Sequence, residues 1–95
     1  MSRIKELQNS AYDITIRCLA NLTFPHFSVE RRIELLKELE TAWTDDFADF
    51  ENIRNAIRNL QSVAHDNSEF RMNSGNLIDV LIFLKGEQKS FPNLN

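Results

Sequence analysis

An arginine and a histidine separated by six residues form the pair in this chain whose chemistry could act on a phosphate group. Arg58 and His65 stand at the two ends of the segment RNLQSVAH. A guanidinium can stabilise negative charge that develops on phosphate, and an imidazole can transfer a proton near neutral pH. Seven arginines in 95 residues make this spacing common by chance. We therefore favour a local pairing of Arg58 on a helix, with His65 at the end of that helix.

Other reactive residue types lack the spacing that their chemistry needs. Cys18, His26 and His65 are too far apart in the sequence for a usual zinc site. No serine lies in a nucleophile elbow, and Gly75 and Gly86 belong to no phosphate-binding or dinucleotide-binding motif. Cys18 lies in an apolar helical stripe, which favours a reduced core thiol. The sequence thus predicts no catalytic residue, no cofactor and no metal.

Two groups of charged residues open two predicted helices. Arg31 and Arg32 lie in a first helical turn, where a cation opposes the helix dipole by up to about 1 kcal/mol. They are therefore either tied to a carboxylate or available to a partner. Complementary patches on one molecule permit head-to-tail self-association, although two solvated, inert patches are an equally good alternative. The candidate partner-binding residues are Arg31, Arg32, Asp45, Asp46, Asp49 and Glu51.

Length and composition predict one compact helical domain over residues 1–95. The chain is 42 % hydrophobic, with two glycines and two prolines, which is too apolar for disorder and too poor in turn formers for a β-sandwich. The net charge of −3 argues against a nucleic-acid partner. We find no signal-peptide pattern and no apolar run of membrane-spanning length, and one cysteine suits a reducing compartment. We expect a soluble, cytoplasmic protein.

Apolar spacing predicts the first two helices. The first covers residues 3–22, and Pro25 follows it in a loop from which Phe24 and Phe27 should fill the core. The second begins after an N-cap at Ser28 and ends between residues 41 and 43. The predicted inward faces are Ile4, Leu7, Ala11, Ile14, Cys18 and Leu22 in the first helix, and Val29, Ile33, Leu36 and Leu39 in the second.

The remaining chain predicts two more helices. One is capped by residues 44–46, with Phe47, Phe50, Ile53, Ile57, Leu60 and Ala64 facing inward. A loop over residues 65–74, anchored by Phe70 and Met72, should lead to a last helix from Gly75 to a C-cap at Gly86. Residues 77–84 contain only one polar side chain, so we expect this helix at the centre of the core. The tail after Phe91 should fray. The predicted fold is an all-α bundle of four to six helices.

The order of these features resembles the effector-associated domains of bacteria, most nearly their second type. The resemblance covers about residues 18–94, and the matching segments are Leu19–Leu22, Glu30–Leu36, Ile53–Val63 and Ser74–Gly86. Gly75 departs from the family in lacking its usual Pro-Gly-Gly context. The resemblance implies a death-fold-like adaptor without catalysis. Such a domain recruits enzymes or ATPase sensors in defence and signalling through contacts between similar domains, so a similar helical domain is the expected partner.

Two alternatives stay open beside this non-catalytic interaction domain. The Arg58-Asn59 and His65 spacing resembles the signature of HEPN ribonuclease toxins, in which the arginine and histidine act on the scissile phosphate. Small size and mild acidity also suit an immunity protein or antitoxin that blocks a basic enzyme.

Overall fold

The computed structural model describes residues 3–24 and 26–90, with side chains up to residue 87. This part of the chain contains four helices and no strand, which confirms the all-α prediction. The expectations for Pro25 and for the tail 91–95 lie outside the described residues. The helices are α1 (Arg3–Leu22), α2 (Val29–Thr41), α3 (Phe50–Ser62) and α4 (Asn67–Ser90).

α1 has the predicted bounds, but it turns a different face to the core. Ile4, Leu7 and Ile14 are 44 %, 48 % and 56 % exposed, so their predicted burial is wrong. Polar side chains enter the core because they find hydrogen-bond partners there: the Trp43 indole donates to Thr15 Oγ1 at 2.9 Å. The buried residues of α1 are Gln8, Ala11, Tyr12, Thr15, Leu19 and Leu22.

α2 follows the sequence prediction closely. The hydroxyl of Ser28 accepts a hydrogen bond from the Arg31 backbone N–H at 3.1 Å, as an N-cap should. Of its predicted inward face, Leu36 and Leu39 are buried and Ile33 is partly buried, whereas Val29 in the first turn is 36 % exposed, so its predicted burial is wrong. The preceding loop differs from the prediction, since the Phe24 side chain is 53 % exposed and only part of Phe27 packs against the core.

α3 begins later than predicted. Residues 44–49 form turns in place of a helical cap, and Asp49 adopts a left-handed conformation with φ 59°. Phe47 is nevertheless buried, because its ring packs edge-on against Trp43 at 5.7 Å. The predicted inward face of Ile53, Ile57 and Leu60 is confirmed.

α4 replaces the predicted loop and short helix with one element of 24 residues. Asp66 accepts from the Glu69 backbone N–H at 3.1 Å, so the polar cluster expected to form a loop begins a helix. The helix continues through Gly75 and Gly86, and neither glycine has a positive φ, so the predicted C-cap at Gly86 is wrong. Phe70 is fully buried as an anchor, whereas Met72 is 56 % exposed.

The helices form two principal pairs, α1 with α4 and α2 with α3, and α3 contacts α4 less extensively. The core lies between these pairs. Trp43 occupies its centre and packs edge-on against Tyr12 at 5.2 Å. Lys85 forms an ion pair with Asp13 across α1 and α4.

The apolar segment at residues 77–84 is only half buried, contrary to the expectation that it forms the centre of the core. Leu77 and Leu81 are buried, but Val80, Ile82 and Phe83 are 50 %, 53 % and 65 % exposed. A helix that packs mainly on one neighbour covers one stripe of its surface, so apolar residues on the other sides remain in contact with water.

Candidate functional site

A groove of about 440 Å³ runs between α3 and α4. A turn of four residues joins these helices, so they run in opposite directions and the start of α3 faces the C-terminal half of α4. We call this feature the α3–α4 groove. Its lining consists of Asp49, Asn52, Ile53, Ala56, Asn59 and Leu60 from the α3 side, and Asn73, Asn76, Leu77, Val80 and Leu84 from α4.

The floor of the α3–α4 groove is apolar. Ile53, Ala56 and Leu60 follow one another at helical steps of three and four, which places them on one stripe of α3. Ile53 and Leu60 are only 2 % and 1 % exposed, so Ala56 supplies most of the accessible surface of this stripe. Val80 and Leu84 supply the facing wall, and Val80 is half exposed. Ala56 has the smallest side chain of the floor, so α3 leaves space where a larger residue would contact α4.

Four asparagines border this apolar floor. Asn52 and Asn59 lie on α3, and Asn73 and Asn76 on α4. The Asn73 amide donates to the Glu69 backbone carbonyl at 2.7 Å. The side chains of the other three are exposed to solvent. Each amide offers both donors and acceptors, so the border can pair with a polar ligand.

One of the four predicted acidic residues lies in the groove, at the end where α3 begins. Asp49 lines the groove itself, Asp45 and Asp46 are exposed in the preceding turns, and Glu51 is exposed in the first turn of α3. Asp49 is the one non-glycine residue with positive φ in the described chain, a conformation that Asp tolerates better than most residues. The structure therefore places the Asp49 carboxylate in the lining of an apolar groove.

The predicted basic pair does not form a surface patch. Arg31 is exposed and forms an ion pair with Glu34 on its own helix. Arg32 is only 2 % exposed, so its assignment as a partner-binding residue is wrong. Its side chain crosses from α2 into the junction of the other three helices.

The Arg32 guanidinium finds hydrogen-bond acceptors there, none of which is a carboxylate. Its guanidinium lies 4.6 Å from the centre of the Phe70 ring, which adds a cation–π contact. Two of its acceptors are carbonyls at the ends of α1 and α3, where the helix dipoles concentrate negative charge. The acceptors are the carbonyls of Leu22 (3.1 Å), Ala64 (3.0 Å) and Phe24 (3.3 Å) and the Asn67 Oδ1 atom (2.8 Å).

Arg58 forms an ion pair with a residue of α2. Its Nε donates to the Glu40 carboxylate at 2.6 Å, and Gln61 donates to the same carboxylate at 3.0 Å. Burial raises the pKa of Glu40, but these hydrogen bonds and the charges of Arg58 and Arg54 outweigh it and leave the pKa below its ordinary value. His65 is exposed in the turn after α3. Neither Arg58 nor His65 lines the groove.

A second, polar cavity of about 210 Å³ is lined by Thr23, Asn67, Ser68 and Arg71.

Within residues 3–24 and 26–90, no three His, Cys, Asp or Glu side chains are grouped to hold a metal ion. None of the described helices is long and apolar enough to cross a membrane. Burial, and next the charge of Glu38, raise the pKa of the Cys18 thiol, which disfavours its reactive thiolate form.

Comparison of the chain with protein-family models, curated proteins and solved structures finds no match. The resemblance to effector-associated domains thus stays a prediction based on the residues given above.

Sequence reasoning missed the groove because it assigned Asn73 to a loop and placed the segment 77–84 wholly in the core. A usable signal was present. Asn52 and Asn59 are seven residues apart and lie beside the apolar stripe of α3, so a polar border along one side of that stripe could have been predicted.

Proposed function

We propose that this chain is a non-catalytic adaptor domain that recruits partner proteins through the α3–α4 groove. The observation that carries the proposal is the apolar lining of that groove, which is bordered by asparagines and has Asp49 at one end. Concave sites with apolar walls and a few polar groups are the usual form of a binding site. Cytoplasmic bacterial defence or signalling is the setting that the effector-associated-domain resemblance implies.

Further exposed apolar side chains support an interaction role. Ile4, Leu7 and Ile14 on α1, with Ile82 and Phe83 on α4, are all more than 40 % exposed. Exposed apolar groups of this size favour contact with another protein when they lie close together. A stable interface covers about 800 Å² on each partner, so such residues would extend the area that the groove provides.

The structure removes the predicted route to self-association through Arg31 and Arg32. Arg31 lies at the start of α2 and Asp45 lies beyond its end, about 20 Å away along a 13-residue helix. Because Arg32 is buried and Arg31 is paired with Glu34, the predicted basic pair offers no patch to the acidic residues of another copy. The acidic group is thus available to a basic partner.

Affinity capture from the native host tests this proposal. Ala56→Glu would place a charged side chain in the floor of the groove, while Ala20→Glu would make the same change at an exposed site on α1. We expect one or more proteins to be enriched by the wild type and by Ala20→Glu but not by Ala56→Glu. Circular dichroism checks that both variants fold. Equal recovery of every protein by the three baits would contradict the proposal.

A further inference from the structure

We infer that the α3–α4 groove binds an extended peptide segment of the partner, with apolar side chains on the floor and a basic residue beside Asp49. This inference rests on the proposed adaptor function and specifies the chemistry of its ligand. It draws on the side-chain amides of the border, the length of the groove and the charge at one end.

The side-chain amides that border the groove favour a ligand with an extended backbone over a helical ligand. A helix satisfies its own N–H and C=O groups, apart from those at its ends, and offers few backbone groups to a neighbouring side chain. An extended segment leaves these groups free along its whole length. Asn52, Asn59 and Asn76 each present an N–H donor and a C=O acceptor next to the apolar floor, so they can pair with such a backbone.

The dimensions fit a short segment. From Asp49 to Asn59, α3 rises about 15 Å, a length that four or five extended residues cover. Alternate residues of an extended chain point to the same side, so two or three apolar side chains could face Ala56, Val80 and Leu84, the apolar lining residues that are not buried. The residues between them would point away from the floor.

Charge sets the position of the segment. Asp49 lines one end of the groove, and Asp45, Asp46 and Glu51 are close to it in the chain and exposed. At the opposite end the Asn73 amide donates to the Glu69 carboxylate at 3.2 Å, and Glu69 itself lies outside the lining. Asp49 is the carboxylate within the lining, so a lysine or arginine of the bound segment is best stabilised at the Asp49 end, which favours one register.

Peptide titration of the ¹⁵N-labelled full chain tests this inference. The probe is a capped octapeptide in which leucine and valine alternate with serine and two lysines occupy one end; a second peptide carries the lysines at the other end. For at least one of them we expect amide shift changes at groove residues such as Ile53, Ala56 and Val80. Two glutamates in place of the lysines should weaken binding, and added salt should reduce this difference.

Changes in the peptide and in the protein distinguish the contribution of backbone hydrogen bonds to binding from that of apolar contacts. Backbone N-methylation at the serines removes donors without removing apolar side chains, and we expect it to weaken binding about tenfold for each hydrogen bond lost. Asn59→Ala and Asn76→Ala should also weaken binding. The control is Asn55→Ala, an exposed position of α3 outside the groove. Thermal unfolding confirms that each variant is folded.

Two results would overturn the inference. Binding that N-methylation leaves unchanged, or tighter binding of a stapled helical version of the same peptide, would show that the groove does not take an extended backbone. Absence of groove shifts with every peptide at millimolar concentration would likewise reject this ligand chemistry. The capture comparison between Ala56→Glu and Ala20→Glu is independent of these peptides, so the adaptor proposal would survive either result.

Discussion

Arg32 joins three helices at one end of the bundle. Its side chain reaches from α2 to the carbonyl of Leu22 in α1, to that of Ala64 after α3 and to Asn67 at the start of α4. A buried guanidinium without a carboxylate is stable here because helix ends and backbone carbonyls supply the negative charge. The sequence indicated that Arg32 is unfavourable in a first turn, but it could not show that acceptors 8 to 35 residues away would surround it.

Arg32→Met should destabilise the fold by about 3–5 kcal/mol, because it leaves several buried acceptors without a donor. The neighbouring change Arg31→Met is the matched control. It removes an exposed ion pair with Glu34 and should alter the free energy of unfolding by less than about 1 kcal/mol. Urea unfolding monitored by circular dichroism measures both values. Similar effects of the two substitutions would contradict the buried position of Arg32.

Because of Glu40, the free energy of unfolding should depend on pH in the acid range. Because the pKa of Glu40 in the folded chain is lower than its ordinary 4.5, its ionised form stabilises the fold above that pH. This contribution is lost as the pH falls through the lowered value. The stability difference between wild type and Glu40→Gln should therefore shrink below pH 4.5. Arg58→Leu should reduce the same dependence, and urea midpoints across a pH series measure it.

A difference between wild type and Glu40→Gln that stays constant over the whole acid range would contradict this interpretation. It would show that the carboxylate of Glu40 has the same proton affinity in the folded and unfolded chains. The Arg58 contact would then be too weak to hold α2 against α3.

At the scale of elements, the continuity of α4 is the main departure from the sequence prediction. Glycine is the usual C-cap residue, and Asn and Ser are common in loops, so residues 65–75 and Gly86 read as helix boundaries. Packing of Phe70, Leu77 and Leu81 in one buried stripe outweighs these local preferences. The two helices with strong apolar periodicity and clear ends, α1 and α2, were predicted with their observed bounds.

Substitution of the glycines in α4 tests this continuity. No other atom lies within 4 Å of a Cβ added at Gly75 or Gly86. We expect Gly75→Ala and Gly86→Ala each to raise the free energy of unfolding by about 0.5–1 kcal/mol, since alanine loses less backbone entropy in a helix interior. If Gly86 were a left-handed cap, its substitution would destabilise the chain instead. Urea unfolding distinguishes these outcomes.

At the scale of the whole molecule, two helix pairs of unequal length leave apolar surface uncovered. α4 has 24 residues and α3 has 13, so the longer helix extends past the shorter one. Val80, on the wall of the groove, and Phe83 both remain exposed. The sequence alone gave the helical class and most of the inward face of α3. The groove depends on how far α3 and α4 separate, which periodicity in one helix does not determine.

Methyl NMR of the full chain with a protein recovered by the capture experiment tests the central claim most directly. The claim is that partners dock in the α3–α4 groove. We predict that the methyl signals of Val80 and Leu84 shift or broaden when the partner is added, while the buried methyls of Leu36 remain unchanged. Perturbation confined to Ile4, Leu7 and Ile14 on α1, with the groove methyls unaffected, would contradict it.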